Sequence, residues 1–123
     1  MADEAGTFAW NELATTDVEK AMAFYTATLG WRFEKFELPD GAYWVAYAGE
    51  TLVCGLGGLE TAAEAGLTRS AWFSSVRVDQ IDSRYAKALE LGAIGLQAPH
   101  DVPGVGRVAA LRDPTGAVIG WLE

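Results

Sequence analysis

The sequence repeats itself once, and this internal similarity limits the fold more than any single motif does. An aromatic residue, an acidic residue at a predicted helix start and a Leu-Gly pair at the helix end recur 62 positions apart: Trp10 and Trp72, Asp17 and Asp79, Leu29-Gly30 and Leu91-Gly92. The last segments of the two halves match at an offset of 65, because the loop before Arg107 is longer. Two copies of one small unit are therefore expected.

The first half is predicted to form a strand, a helix and then three strands. These elements span 7–14, 17–30, 31–37, 43–48 and 51–56. In the helix, apolar residues recur at the spacing of one helical face. Either Asp17 caps its start directly, or Thr16 and Glu19 form a capping box. Gly30 is expected to end it, since glycine adopts the left-handed conformation easily.

The second half follows the same order. Its elements are a strand over 71–78, a helix capped by Asp79 and closed by Gly92, a weak strand over 93–97, a Pro- and Gly-rich loop over 99–106, and strands over 107–111 and 117–122. Strands and helices mixed in this way predict an α+β fold made of two βαβββ modules.

These boundaries divide the chain into a disordered N-terminus (1–6) and a single domain (7–123). The modules lie at about 7–58 and 71–123, joined by a connector at about 59–70. A βαβββ module alone leaves one face of its sheet bare. Pairing two modules is therefore expected to curl their sheets around a shared cup, which is the natural ligand site.

Composition narrows the classes of partner. The chain has 123 residues, half of them hydrophobic, which is enough for a real core. The formal net charge of −8 argues against nucleic acid and anionic membranes, and either favours a neutral or cationic small molecule or only maintains solubility. No apolar run approaches the ~20 residues that span a bilayer. The single cysteine, Cys54, cannot form an internal disulfide, so a cytoplasmic setting is expected.

Motifs in both halves resemble those of the vicinal oxygen chelate superfamily of glyoxalases, bleomycin-resistance proteins and dioxygenases. They are Trp10 to Asp17, Ala23-Phe24-Tyr25, Leu29-Gly30-Trp31, Val76 to Asp79, Leu91-Gly92, Val102 to Gly106 and Asp113 to Gly120. The resemblance covers nearly the whole chain and is strongest to a bacterial group described only as related to lactoylglutathione lyase. It implies paired βαβββ modules forming a curved mixed sheet with a central cup, and often a homodimer.

The resemblance also implies a divalent metal, held by His, Gln or Glu from four strands and acting as a Lewis acid. Carried over one at a time, the four ligand positions fall at Trp10, Gly55, Phe73 and Gly120. None of these side chains can ligate. A register error of one or two residues brings in Asn11 or Glu12, and Ser74, which leaves at most one good ligand. Since His100 is the single histidine, a 2-His-1-carboxylate triad is impossible within one chain. We therefore expect no metal and no cofactor.

The glycines at two of these positions allow two interpretations. A glycine within a strand often marks close approach by a ligand or by a neighbouring group. Gly55 and Gly120 would either widen the cup or pack against Trp10 or Trp72. The sequence leaves both open.

Glu12 is the candidate for chemistry. Strand alternation places it on one face with Phe8, Trp10 and Ala14. If this face lines the cup, Glu12 is a carboxylate in an aromatic pocket, able to bind a cation or to act as a general base. If the face meets solvent, Glu12 is a surface or ion-paired residue.

The remaining candidates also have two interpretations each. The strand tryptophans either pack in the core or form a stacking surface for a planar or cationic ligand: Trp10, Trp44, Trp72 and Trp121. Arg107 either anchors an anion or pairs at the surface. Cys54 is expected to be a small buried hydrophobe rather than a nucleophile, and His100 a surface loop residue.

Four functions follow from these residues. The first is a metal-free small-molecule binding protein that holds an aromatic or cationic ligand between tryptophans and Glu12. The second is a metal-independent isomerase, lyase or hydrolase that uses Glu12 as base. The third, disfavoured by the ligand positions, is a metal-dependent glyoxalase-like lyase or dioxygenase. The fourth is a dimerising module with a vestigial cup.

Overall fold

The computed structural model describes residues 4–38, 41–58 and 68–123, and in them the chain forms two helices and eight strands. The elements, in chain order, are β1 (Phe8–Ala14), α1 (Val18–Leu29), β2 (Arg32–Leu38), β3 (Gly41–Ala48), β4 (Thr51–Gly57), β5 (Ala71–Arg77), α2 (Ile81–Glu90), β6 (Ile94–Val102), β7 (Gly106–Arg112) and β8 (Val118–Leu122). Two βαβββ modules of an α+β fold are confirmed. Neither described helix is long and apolar enough to cross a membrane.

The described residues fall into two compact units. The first comprises 10–38, 41–58 and 68–72, and the second comprises 4–9 and 73–123. Most of the predicted connector, 59–67, lies outside the described residues, as do residues 1–3 of the predicted disordered N-terminus. Of the rest of that terminus, the Gly6 N–H donates a hydrogen bond to the carbonyl of Arg77.

Both units have the same strand order. In the first, the strands lie in the order β2-β3-β4-β1, and β1 and β4 are parallel with Glu12 opposite Gly55. In the second, the order is β6-β7-β8-β5, and β5 and β8 are parallel with Ser75 opposite Gly120. Each unit therefore places a strand glycine opposite a residue of its first strand, and Ser75 lies 63 positions after Glu12, one more than the repeat offset of 62.

One of the two predicted helix caps is confirmed and the other is wrong. The Asp17 carboxylate accepts a hydrogen bond from the Lys20 N–H, so the direct cap is the one formed in α1, and Gly30 ends that helix with φ 73°. In α2 the N-cap is Gln80, not Asp79. The Asp79 carboxylate is instead bound by Arg84.

The α2 start is capped from a distant part of the chain. The N–H groups of Gln80 and Ile81 each donate to a carboxylate oxygen of Glu123 over 3.0 Å. Ile81, the first residue of α2, lies 63 positions after Val18, the first residue of α1. The predicted offset of 62 is therefore one residue short at the helix starts.

The prediction of a loop over 99–106 is wrong for residues 99–102, which belong to a strand. Strand β6 continues to Val102, and His100 lies opposite Val108 of β7. The β6–β7 register shifts between Gln97 and His100. A proline is tolerated at such an irregularity, because its missing N–H interrupts no regular ladder. His100 is therefore a strand residue, contrary to the expectation.

The two units bury their helices differently. In the second, Ile81 and Tyr85 of α2 pack with Ala109 and Leu111 of β7 in a buried cluster. In the first, α1 has no buried side chain. An open groove of about 820 Å³ runs beside it, lined mainly by Met22, Ala23, Thr26, Trp31, Phe33 and Trp44.

Candidate ligand-binding site

A carboxylate, a phenol and an indole meet on one face of the first unit. The Tyr43 hydroxyl donates to Oε1 of Glu12 over 3.0 Å and accepts from the Trp10 Nε1–H over 3.0 Å. An indole can only donate and an ionised carboxylate can only accept, so the direction of both bonds is fixed. We call these three residues the Glu12 triad.

Gly55 makes room for this arrangement. It lies opposite Glu12 on β1 and opposite Val45 on β3. A Cβ at Gly55 would lie 1.6 Å from the Tyr43 hydroxyl oxygen, 2.4 Å from its Cζ and 3.1 Å from Nε1 of Trp10. The glycine is therefore required by a neighbouring side chain, Tyr43, that the sequence interpretation did not consider.

The electrostatics of the triad keep Tyr43 protonated. Burial, and then the charge of Glu12, raise the pKa of the Tyr43 hydroxyl far above its ordinary value. Burial, and then the same carboxylate, raise the pKa of the nearby Cys54 thiol to about 11. Both groups are neutral at physiological pH, which leaves Glu12 as the acidic group among these residues.

Tyr43 was absent from the sequence-based candidates. It lies 31 residues from Glu12 and 33 from Trp10, so no local pattern links them. The available signal was the alternation of β3, which puts Tyr43 and Val45 on one face. That signal becomes useful only when the register places Val45 opposite Gly55.

The tryptophans do not share the face of the triad, except for Trp10. Trp44 follows Tyr43 directly on β3, so it points to the opposite face, where it lines the groove beside α1. Trp72 packs against Tyr25 and Trp31, and its Nε1–H donates to the Tyr25 hydroxyl over 3.2 Å. Of the two interpretations given for the tryptophans, these contacts favour packing for Trp44 and Trp72.

In the second unit, Trp121 packs against the core cluster that includes Ile81 and Tyr85. Arg107 donates to the carboxylates of Asp82 and Asp101, so its charge is balanced within the unit and the surface ion pair, not the anion anchor, is the interpretation that the contacts favour. Trp121 thus behaves as a core residue and Arg107 as a structural one.

The equivalent face of the second unit carries Phe73, Ser75 and Gly120. Ser75 lies opposite Gly120, and a Cβ on that glycine would come within 2.4 Å of the Ser75 hydroxyl. Phe73 shares the face with Ser75 by strand alternation. Here too a hydroxyl fills the space in front of the strand glycine.

The residues at the superfamily's ligand positions do not fit a metal. No group of three or more His, Cys, Asp or Glu side chains that could hold an ion occurs in the part of the chain that the structure describes. The space in front of Gly55 is taken by the protonated Tyr43 and that in front of Gly120 by Ser75. Within two residues of the carried-over positions, Glu12 is the one carboxylate.

Comparison with known sequences places these observations in a family. The model of the Glyoxalase/Bleomycin resistance protein/Dioxygenase superfamily matches residues 7–120. "Putative glyoxylase CFP32" of Mycobacterium bovis is 36% identical over 124 residues, covering 100% of this chain and 46% of that protein. "Anthracycline biosynthesis protein DnrV" of Streptomyces peucetius is 35% identical, covering 96% and 42%. The chain spans a little under half the length of these curated relatives.

Solved structures agree on the fold. Methylmalonyl-CoA epimerase from Mycobacterium tuberculosis matches 100% of this chain and 91% of its own, with a TM-score of 0.65 and 15% identity. An extradiol ring-cleaving dioxygenase from B. fuscum matches 99% and 34%, with a TM-score of 0.63 and 21% identity. At such identities the likeness shows the fold alone. Because the family model spans nearly the whole chain, the chain belongs to the glyoxalase/bleomycin resistance protein/dioxygenase superfamily.

Proposed function

We propose that this protein binds a small aromatic or cationic molecule, without a metal, at the face that carries the Glu12 triad. The observation that supports this is the Tyr43 hydroxyl, which fills the space in front of Gly55 and holds the Glu12 carboxylate beside the Trp10 indole. At this carried-over ligand position, Gly55 offers no side chain and the Tyr43 phenol occupies the space in front of it.

The chemistry of the triad favours a cation. A partly buried carboxylate attracts positive charge more strongly than a solvated one, because the effective dielectric constant is lower. The indole adds an aromatic surface on which planar or cationic groups stack. The net charge of −8 acts in the same direction at long range. Anthracyclines, which appear in the name of one relative, are polycyclic aromatic compounds, and this supports an aromatic ligand.

A second candidate function uses the same residues for catalysis. A metal-independent isomerase, lyase or hydrolase would employ Glu12 as base, and the hydrogen bond from Tyr43 fixes the position of that carboxylate. Positioning of this kind is what a general base requires. Glu12→Gln separates the two functions, because it would abolish turnover but, for a neutral aromatic ligand, leave most of the binding.

The proposal also includes a homodimer in a reducing, cytoplasmic setting. The first expectation is checked by light scattering of the purified protein. The second is supported by the free, buried Cys54.

Two measurements test the metal-free assignment. Elemental analysis of the purified protein is expected to find no stoichiometric metal. Thermal unfolding in EDTA and in excess Ni²⁺, Zn²⁺, Mn²⁺ or Fe²⁺ is expected to give one common midpoint, since a bound ion would stabilise the folded state. One ion per chain with a clear stabilisation would contradict the proposal and restore a metal-dependent lyase or dioxygenase.

Binding itself is tested with benzylammonium and benzyltrimethylammonium, followed by NMR at millimolar concentration. Both aromatic cations are expected to move the indole resonance of Trp10 in the wild type. Glu12→Gln is expected to weaken both, whereas Glu50→Gln, which removes the same charge from an exposed turn, is the matched control. Equal binding to the wild type and Glu12→Gln would refute the role of the carboxylate.

A further inference from the structure

We infer that Tyr43 is a specificity-determining residue, which makes the Glu12 triad a pure hydrogen-bond acceptor and so selects ligands that donate hydrogen bonds. This deepens the proposed function and depends on it. The ligand class is an aromatic compound bearing a primary or secondary ammonium or an amidinium group.

The first step of the argument is an account of donors. The indole of Trp10 has a single N–H, and it is used by the Tyr43 hydroxyl. Tyr43 has a single O–H, and it is used by the Glu12 carboxylate. Since a phenol has one proton and an ionised carboxylate has none, the triad has no donor left to offer. Any further hydrogen bond that these three groups make, they make as acceptors.

The second step is that this polarity is stable. The phenol would become an additional acceptor, and would release the donor to Glu12, only by losing its proton. Burial and the charge of Glu12 keep the pKa of Tyr43 far above physiological pH. Cys54, whose pKa is raised to about 11, adds no charge either.

The third step is that Gly55 leaves the space that the Tyr43 hydroxyl occupies. The hydroxyl oxygen lies 1.6 Å from the position that a Cβ of residue 55 would occupy. Any side chain there would displace the hydroxyl from between Trp10 and Glu12. The glycine and the tyrosine therefore act together, and the selectivity belongs to the pair.

The consequence is a specific rule for ligands. Carboxylates, phosphates and carbonyl oxygens bring acceptors to three side chains that can only accept, and anions also face the Glu12 charge. A quaternary ammonium has the favoured charge but no N–H. An ammonium or amidinium group has both, and a hydrogen bond between charged partners is stronger than a neutral one.

Three probes with one aromatic ring distinguish these cases: benzylammonium has charge and donors, benzyltrimethylammonium has charge alone, and acetophenone has an acceptor alone. Their dissociation constants are measured from the Trp10 indole resonance. We expect the wild type to prefer benzylammonium to benzyltrimethylammonium by on the order of tenfold, the value of one hydrogen bond to a charged group. Acetophenone is expected to bind most weakly.

Tyr43→Phe removes the hydroxyl and exposes the Trp10 N–H as a donor. The preference for benzylammonium over acetophenone is expected to fall at least about tenfold, because acetophenone gains a partner while Glu12 loses its anchor. The Trp10 indole proton should also shift and exchange faster without ligand. Tyr47→Phe, which removes a hydroxyl from the same strand outside the triad, is the matched control and should change neither quantity.

The outcomes separate the two proposals. If both cations bind the wild type equally well, or if Tyr43→Phe leaves the preference for benzylammonium over acetophenone unchanged, the inference about Tyr43 is wrong and the proposed function stands. If no probe binds the wild type, the proposed function is wrong and the inference falls with it. The wild-type order of the probes decides the matter even if Tyr43→Phe fails to fold.

Discussion

At the scale of single residues, Gly55 and Gly120 occupy equivalent places but face different neighbours. The ring of Tyr43 lies in front of Gly55. A Cβ at residue 55 would lie 1.6 Å from its hydroxyl oxygen and 2.4 Å from its Cζ. In front of Gly120 stands only the hydroxyl of Ser75 at 2.4 Å, and the next atom is 3.4 Å away. A serine hydroxyl can rotate away, whereas a partly buried tyrosine ring cannot.

We therefore expect Gly55→Ala to lower the free energy of unfolding by about 1–3 kcal/mol, the usual cost of overpacking. Gly120→Ala should cost clearly less, because Ser75 can adopt another rotamer. Urea unfolding of both variants measures the difference. In a Tyr43→Ala background the penalty of Gly55→Ala should disappear, since the two positions are in contact. Equal penalties for the two glycines would contradict the assigned geometry.

A second prediction at this scale concerns Cys54. The side chain is 3% exposed, and its pKa is raised to about 11. Because the thiolate is the reactive form, the native protein at pH 8 is expected to react with a disulfide reagent at least about a hundredfold more slowly than the protein unfolded in guanidinium. The absorbance of the released thiol follows the reaction. A native rate within tenfold of the unfolded rate would show that Cys54 is accessible to the reagent, contrary to its burial in β4.

At the scale of elements, the two helices begin in different ways. The start of α1 is capped locally by Asp17, three residues before the N–H that it binds. The start of α2 is capped by Glu123, more than 40 residues away. The Asp79 carboxylate, which the repeat suggests as a cap, is an exposed partner of Arg84. The same helical start thus uses a near neighbour in one unit and a remote one in the other.

This difference predicts the effects of three substitutions. Asp17→Ala and Glu123→Ala are each expected to lower the free energy of unfolding by about 1 kcal/mol, the typical value of a helix cap. Asp79→Ala should have a smaller effect, because an exposed ion pair contributes little. Chemical unfolding followed by circular dichroism ranks them. If Asp79→Ala were as harmful as Asp17→Ala, the cap at Asp79 would be real.

At the scale of the whole molecule, the thiol and phenol groups with raised pKa values determine the response to alkali. They are Cys54, at about 11, and Tyr43 and Tyr85, both raised first by burial. There is a pH range in which these three groups have begun to ionise in the unfolded chain but are still neutral in the folded protein. Above pH 9 the unfolded state therefore binds fewer protons than the folded state, and stability falls as pH rises.

We expect the free energy of unfolding to be insensitive to these groups below pH 8 and to decline from about pH 9 upward, by up to ~1.4 kcal/mol per pH unit for each group. Urea midpoints at pH 8, 9.5 and 10.5 measure the slope. Combining Cys54→Ala with Tyr43→Phe should reduce it. A stability that rises over this range would require groups with the opposite shift.

Much of the fold was predictable because its signals are local. The helical face of α1, its Asp17 cap and its closing Gly30 lie within one element, and the repeat showed that the second half has the same order. The path of β6 was not predictable, since Pro99 reads as a loop signal. Only its antiparallel pairing with β7 makes the residues around it a strand.

The sequence by itself determined the family and the two βαβββ modules, because these depend on residue types and short-range spacing. It also singled out Trp10, Glu12 and Gly55. Only the tertiary structure decided that Tyr43 joins them, that Trp44 faces the other side and that Glu123 caps α2. Those facts depend on strand register and on contacts across 31 to 43 residues, and a shift of one residue in register would move every side chain to the opposite face.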